Sequence, residues 1–318
     1  QETRASGDVI AYTYDAAGNR ASMTTPNGTT TYGYDALNRL TSFTDATGTT
    51  SYAYTAVGNV ASTTYPNGVA TSYQYDALHR LVRLDNTGPG GPISSYVYTL
   101  GAAGNRVQVV ESGPATTGRM VFYTYDPVYR LVEELIDEPG VADDAQIAYA
   151  YDGVGNRTTM TRDGVATSYV HDANDRLISH TAGAATTSYT YDDAGNLASR
   201  TTGAVTDAYV YDADGRLVAA DVQDGANPGT VTYGYDADGM RTSVTSNGQT
   251  TTYLLDKNRE HAQVVLETSA AGTVAYGYGL DLVSQTRPGG ATAFYLYDGQ
   301  LSTRQLTTPA GAVSDAYT

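Results

Sequence analysis

The chain has 318 residues, with 18 basic and 34 acidic side chains and a net charge of −16. That balance argues against nucleic acid or an anionic membrane surface as partner, because each would repel it. There is no cysteine, which removes disulfides, thiolate chemistry and Cys-based zinc sites, and no apolar run approaches the length of a membrane span. Leu, Ile, Val and Phe supply only about 17% of the residues, which by composition alone reads as disorder. The 29 Tyr correct that reading: tyrosine forms strands and buries a large ring while keeping its hydroxyl wet.

The first element is "YTYDAAGNR" at 12–20. Tyr12 and Tyr14 lie two apart, so in a strand they share one face. Asp15 opens a type I turn by capping its amides, and Gly18 takes the left-handed conformation that closes it. A three-residue loop would set Asp15 opposite Asn19 and Tyr14 opposite Arg20. "TPNGT" (25–29) then turns the chain back, and Tyr34–Asp35 opens the next copy, with Asn38 in the left-handed place and Tyr34 facing Leu40. The pattern returns at Thr55 with Gly58, after which "YPNGV" (65–69) turns the chain, and again at Tyr75–Asp76 with His79. "NTGPGGPISS" (86–95) reads as a mobile Gly/Pro-rich loop. A fifth copy aligns on Thr99.

From 126 to 146, "DPVYRLVEELIDEPGVADDAQ" has some helical flavour, but the lengthened spacing favours a longer charged hairpin. Copies then run regularly through Tyr151–Asp152 with Gly155, His171–Asp172 with Asp175, Tyr191–Asp192 with Gly195, Tyr211–Asp212 with Gly215 and Tyr235–Asp236 with Gly239. "TRDGV" (161–165) and "TSNGQ" (245–249) carry the strongest hairpin signals. In these copies Tyr191 should face Leu197, and Tyr211 should face Leu217. Asp256, Gly279 and Tyr297–Asp298 complete fourteen copies. Altered turns are expected where the left-handed place holds Ala102, Tyr129, Arg259, Leu282 or Leu301. Two strands of about six residues and two turns of about four explain a period near twenty. The fold class is therefore all-β: an antiparallel meander of about 14 hairpins in a curved or spiralling single-layer sheet. Its faces carry Tyr with Leu or Arg on one side and Asp, Asn and Thr on the other.

The Y-x-Y-D-x-x-G-N-R unit resembles the YD repeat, or Rhs repeat, of bacterial Rhs toxins, Tc-toxin B and C components and animal teneurins. The stretch 288–318 is similar to the start of the Rhs-associated core, through Pro288, Phe294, Tyr295, Asp298, Ser302, Arg304, Leu306, Thr307 and Gly311, with Leu301 where a Gly is usual. The resemblance implies repeats over 1–287 and a truncated core over 288–318. It also implies a part in a hollow β-shell that encloses a C-terminal toxin or effector. Partners would be the remainder of the shell polypeptide and that cargo, and the location secreted or cell-surface in bacteria. The expected chain is a window from a longer polypeptide, since one turn of such a wall would stay open-ended.

No catalytic, cofactor or metal residue is assigned, and no enzyme activity is expected. The turn aspartates suggest calcium, but neighbouring turns at one edge lie about 10 Å apart, which suits capping rather than a carboxylate cage. His171 and His180 could touch across their hairpin, yet two His without a third ligand make a weak zinc site. No nucleophile-elbow, zinc-helix or phosphate-loop motif is present. Two other readings compete with the shell: an adhesion module whose tyrosines stack on glycans, and a scaffold that self-assembles through open sheet edges.

Overall fold

The structure, a computed structural model, describes residues 2–3, 9–114, 117–140, 145–223 and 228–317. All described regular structure is strand, thirty strands in one sheet, with no helix among the described residues. Pairing is antiparallel between strands adjacent in the chain, as in Val9–Tyr14 with Arg20–Thr25 and Tyr191 of Ala185–Tyr191 opposite Leu197. The meander follows from the turn chemistry. Asp15 N–H donates to the Asn19 carbonyl at 2.9 Å and Gly18 N–H to the Asp15 carbonyl at 3.1 Å, a type I turn closed by a left-handed residue. Behind it the register shifts between Thr13 and Tyr14, so Tyr14 faces Arg20, and the same shift sets Tyr34 opposite Leu40 and Tyr211 opposite Leu217.

Gly18, Gly58, Gly155, Gly195, Gly215 and Gly239 all have φ between 74° and 105°, and Asn38, His79 and Asp175 lie at 58–62°. A Cβ at Gly195 would meet nothing within 4 Å, so the penalty there is purely conformational. Gly195→Ala is expected to destabilise the protein by about 1 kcal/mol, measured by urea denaturation.

Three expectations are corrected. Tyr129 and Leu301 adopt φ of 64° and 62° and keep the standard turn, because the following hydrogen-bond pattern fixes the backbone and both side chains stay exposed. The fifth turn runs from Gly101 to Asn105 with Gly104 at φ 90°, two residues later than the Thr99 alignment. The 86–95 segment is no loose loop: Gly88 pairs with Gly91 across two residues, and Asn86 and Ser94 are buried and hydrogen-bonded to each other at 2.9 Å. The turns at Arg259 and Leu282 do depart from the rule. The charged segment is a hairpin of Leu131–Asp137 and Ala145–Tyr151, with 141–144 outside the described residues.

The chain divides into two compact units. In the unit formed by 1–120 and 254–318, the meander folds back so that two stretches of sheet pack face to face. Ile10, Phe43, Tyr52, Tyr65 and Val69 from the first stretch share a core with Leu254, Val265, Val283, Phe294 and Leu296 from the second. The unit 121–253 has far fewer buried side chains, with Ile147, Thr167, Thr187 and Asp207 recurring at twenty-residue intervals.

Candidate functional site

The repeat builds the same small device many times. In each standard turn, one carboxylate oxygen of the Asp accepts backbone amides two and four residues on. Asp35 takes Leu37 and Arg39 at 2.9 and 3.0 Å, and Asp76, Asp212 and Asp236 do likewise. The other oxygen takes the side chain four residues on: Asn19 at 3.0 Å from Asp15, Asn156 at 3.1 Å from Asp152, Asn196 at 3.0 Å from Asp192, and Arg Nε at 2.6–2.7 Å from Asp35, Asp76, Asp126, Asp172 and Asp212. In those eight turns both carboxylate oxygens are therefore engaged as caps. Among the described residues, no group of three or more His, Cys, Asp or Glu could hold a metal ion.

From the clasp the arginine reaches the next repeat. Arg39 lies 4.4 Å from the Tyr54 ring centroid, and Arg130 and Arg176 each lie 4.8 Å from Tyr151 and Tyr191. That tyrosine in turn donates its hydroxyl backwards. Tyr54, Tyr75, Tyr151, Tyr191, Tyr235 and Tyr297 bond the carbonyls of Leu40, Val60, Leu131, Leu177, Leu217 and Leu282 at 2.7–2.8 Å. Phenylalanine could fill the space but not make this bond, which accounts for the choice of tyrosine. Tyr191→Phe should lower stability by about 1 kcal/mol in urea denaturation, the net worth of one such bond.

The side-chain bond from Asn19 lowers the Asp15 carboxyl below the usual range, and the bonds from Arg39 and Arg176 do the same at Asp35 and Asp172. A carboxylate with a lower pKa folded than unfolded stabilises the fold fully above its unfolded value. That contribution is lost as pH falls through the folded value. The melting temperature should accordingly hold level through neutral pH and fall steeply below about pH 4.

Two buried ion clusters tie the stretches of the first unit together. Asp256, 0% exposed, accepts the Tyr12 hydroxyl at 2.8 Å and a bidentate contact from Arg20, with Arg259 at 3.2 Å. Arg20 also donates to the Asn258 carbonyl, and Asn258 donates to the exposed Tyr14 hydroxyl. Burial works against the charge of Asp256, but the Arg20 hydrogen bond and charge overcome it and hold its carboxyl below the usual range. In the second cluster Arg304 pairs with Glu111 at 2.7 Å and Asp298 at 3.2 Å, while Arg119 meets Glu111 at 2.8 Å. Asp298 also caps its own turn through Gln300 and Ser302.

Sequence reasoning located the turn residues but not these clusters or the tyrosine latch. The buried clusters join residues some two hundred positions apart, and no local pattern marks them. The His pair separates: His171 faces Leu177, whereas His180 faces Tyr169 and bonds Tyr189 at 3.1 Å.

The family described as RHS Repeat matches residues 1–30, 22–50, 34–70 and 54–93, and Teneurin YD-shell matches 105–254. No curated protein matches the chain. Among solved structures, the crystal structure of TcdB2-TccC3-TEV superposes with a TM-score of 0.68 at 16% identity, over 98% of this chain and 18% of that one. The structure of the Photorhabdus luminescens Tc holotoxin pore gives 0.67 at 18% identity, over 96% and 17%. The likeness is one of fold, and the chain spans less than a fifth of the length of those structures.

Proposed function

The chain belongs to the YD/Rhs-repeat family, and on that premise we propose that it is a section of wall in a YD-repeat shell. In this reading 1–287 are wall repeats and 288–318 open an Rhs-associated core. The parent polypeptide continues into a C-terminal effector domain held inside the completed shell and exported with it from a bacterial cell. The observation that carries the reading is the repeated seam: each hairpin is clasped at its turn, and a tyrosine hydroxyl latches it to the hairpin before. Such a seam joins each hairpin to the one before it, as a wall requires. The wall role needs no catalytic group.

The adhesion reading gains little support from the same geometry. Glycan stacking needs open, coplanar ring faces, and guanidinium groups lie 4.3–4.8 Å over the rings of Tyr54, Tyr98, Tyr151, Tyr169 and Tyr191.

Limited proteolysis of the full-length parent tests the proposal. The domain that follows the core should resist digestion while the shell is intact and become sensitive once the shell is opened. Equal digestion in both states would overturn encapsulation and move a self-assembling scaffold ahead.

A further inference from the structure

One turn breaks the repeat rule, and what it leaves behind points to a ligand. Between Gly272–Tyr278 and Leu282–Thr286, Gly279 stands where the capping Asp belongs, and its amide bonds the Asp281 carbonyl at 2.9 Å. The acid of this repeat is thus displaced two residues along the chain. Whereas eight of the turn carboxylates are filled by backbone amides and a side chain, that of Asp281 has no hydrogen-bond or ion-pair partner among the described residues.

Asp281 lies at the mouth of a cavity of about 190 Å³ lined by Tyr52, Tyr65, Tyr73, Tyr75 and Tyr297. Three of these phenols are held in place. Tyr75 and Tyr297 donate to the Val60 and Leu282 carbonyls at 2.8 and 2.7 Å, and Tyr52 accepts the Leu280 amide at 3.3 Å. Gly279 permits this approach, since a Cβ there would overlap the Tyr52 hydroxyl. Burial raises the phenols of Tyr52, Tyr73 and Tyr297, and the nearby Asp281 charge adds to it. Asp281 itself is exposed, although the crowding of its surroundings pushes its carboxyl up.

Elsewhere in the protein an arginine lies over many of the repeat's tyrosine rings. Among the described residues no basic side chain lines this cavity, and none of these five rings carries a cation. The site therefore keeps the aromatic walls and the carboxylate of the repeat but lacks the guanidinium that elsewhere completes them.

We propose that this cavity binds an organic ammonium cation, seated among the faces of Tyr52, Tyr73 and Tyr297 with Asp281 as its counter-charge. Aromatic faces attract cations through the ring quadrupole, and more strongly once both are desolvated. Asp281 is itself exposed, so its unpartnered carboxylate adds a counter-charge from the solvent side of the cavity, one that water partly screens. The volume holds roughly six waters and is smaller than a typical metabolite pocket of about 300 Å³ or more. It therefore suits a head group or a side-chain tip. Trimethylammonium head groups and lysine side chains share this chemistry. The inference does not depend on the shell reading, since it concerns a cavity within one compact unit.

Isothermal titration calorimetry on the purified chain at fixed ionic strength tests it, with three probes: choline, its neutral isostere 3,3-dimethylbutan-1-ol, and N-acetyl-lysine methylamide. At least one of the two cations should bind saturably at one site, and the neutral alcohol at least about tenfold more weakly. Tighter binding of choline than of the lysine analogue assigns a head group as occupant, and the reverse assigns a protein side chain. Asp281→Asn should weaken the cation at least about tenfold while leaving the unfolding transition unchanged, because the carboxylate supports no other contact. No saturation by either cation at tens of millimolar, equal affinity for the neutral isostere, or unchanged binding in Asp281→Asn would each overturn the proposal.

Discussion

Asp256→Ala is expected to destabilise the protein by about 3–5 kcal/mol, read from denaturant midpoints, because it strands a buried guanidinium. Arg20 has a side chain only 9% exposed, and Asp256 is its ion-pair partner. Removing the carboxylate leaves that charge with the Asn258 carbonyl and the rings of Tyr12 and Tyr32 as company, and none of these neutralises it. The desolvation is then uncompensated. The double variant Arg20→Met with Asp256→Leu should recover most of the loss, since replacing both charges with apolar groups of similar volume is often neutral. Arg259, more exposed than Arg20, can turn to water in that background. A single-variant effect below about 1 kcal/mol would mean that Arg20 reaches solvent and that the cluster is not a closure of the first unit.

Phe43→Ala should cost a similar about 3–5 kcal/mol, while His180→Ala, at the equivalent place in another repeat, should cost no more than about 1 kcal/mol. Both residues stand opposite the first tyrosine of their hairpin: Phe43 faces Tyr32, and His180 faces Tyr169. Phe43 is 1% exposed, and its ring reaches Gly277 on the facing stretch of sheet so closely that a Cβ there would lie 2.8 Å from its Cζ. Truncating it opens a cavity between two layers that cannot collapse independently. His180 lies between Tyr169 and Tyr189, with ring centroids 6.0 and 5.9 Å away, and stays partly open to solvent. Similar losses at the two positions would contradict the difference in packing between the units.

Much of this was legible along the chain. Asp followed by a left-handed residue three places on dictates a closed turn through local sterics and hydrogen bonds, so Gly18, Gly155 and Gly239 could be placed before any coordinates. The register of Tyr14 on Arg20 and Tyr211 on Leu217 then follows from the loop length. Where local reading failed, a tertiary or neighbouring-strand constraint was at work. Leu301 keeps a left-handed turn despite its side chain because Asp298 and Ser302 bond across it and Leu301 itself points to water. The 86–95 segment looked mobile from its glycines and prolines. Its Asn86 and Ser94 instead join Thr71 and Gln305 in a buried hydrogen-bonded chain. The denser aliphatic content of 254–306, with Leu254, Leu255, Val265, Leu266 and Leu296, was the available sign that a second layer would cover the first.

The sequence by itself determined the period, the turns, the strand register and the identity of the repeat, because each is set by contacts within about twenty residues. Only the tertiary structure decided which copies become core. The position opposite the first tyrosine is Phe43 in one repeat, and His180 and Arg200 in others. Strand alternation puts all three on the same face, but whether that face meets another layer or solvent depends on the return of a segment some two hundred residues away. The Asp256–Arg20 and Glu111–Arg304 pairs follow the same logic. Coulomb attraction between distant residues has no signature in the spacing of either, and it acts only after the fold has carried both out of water and into contact.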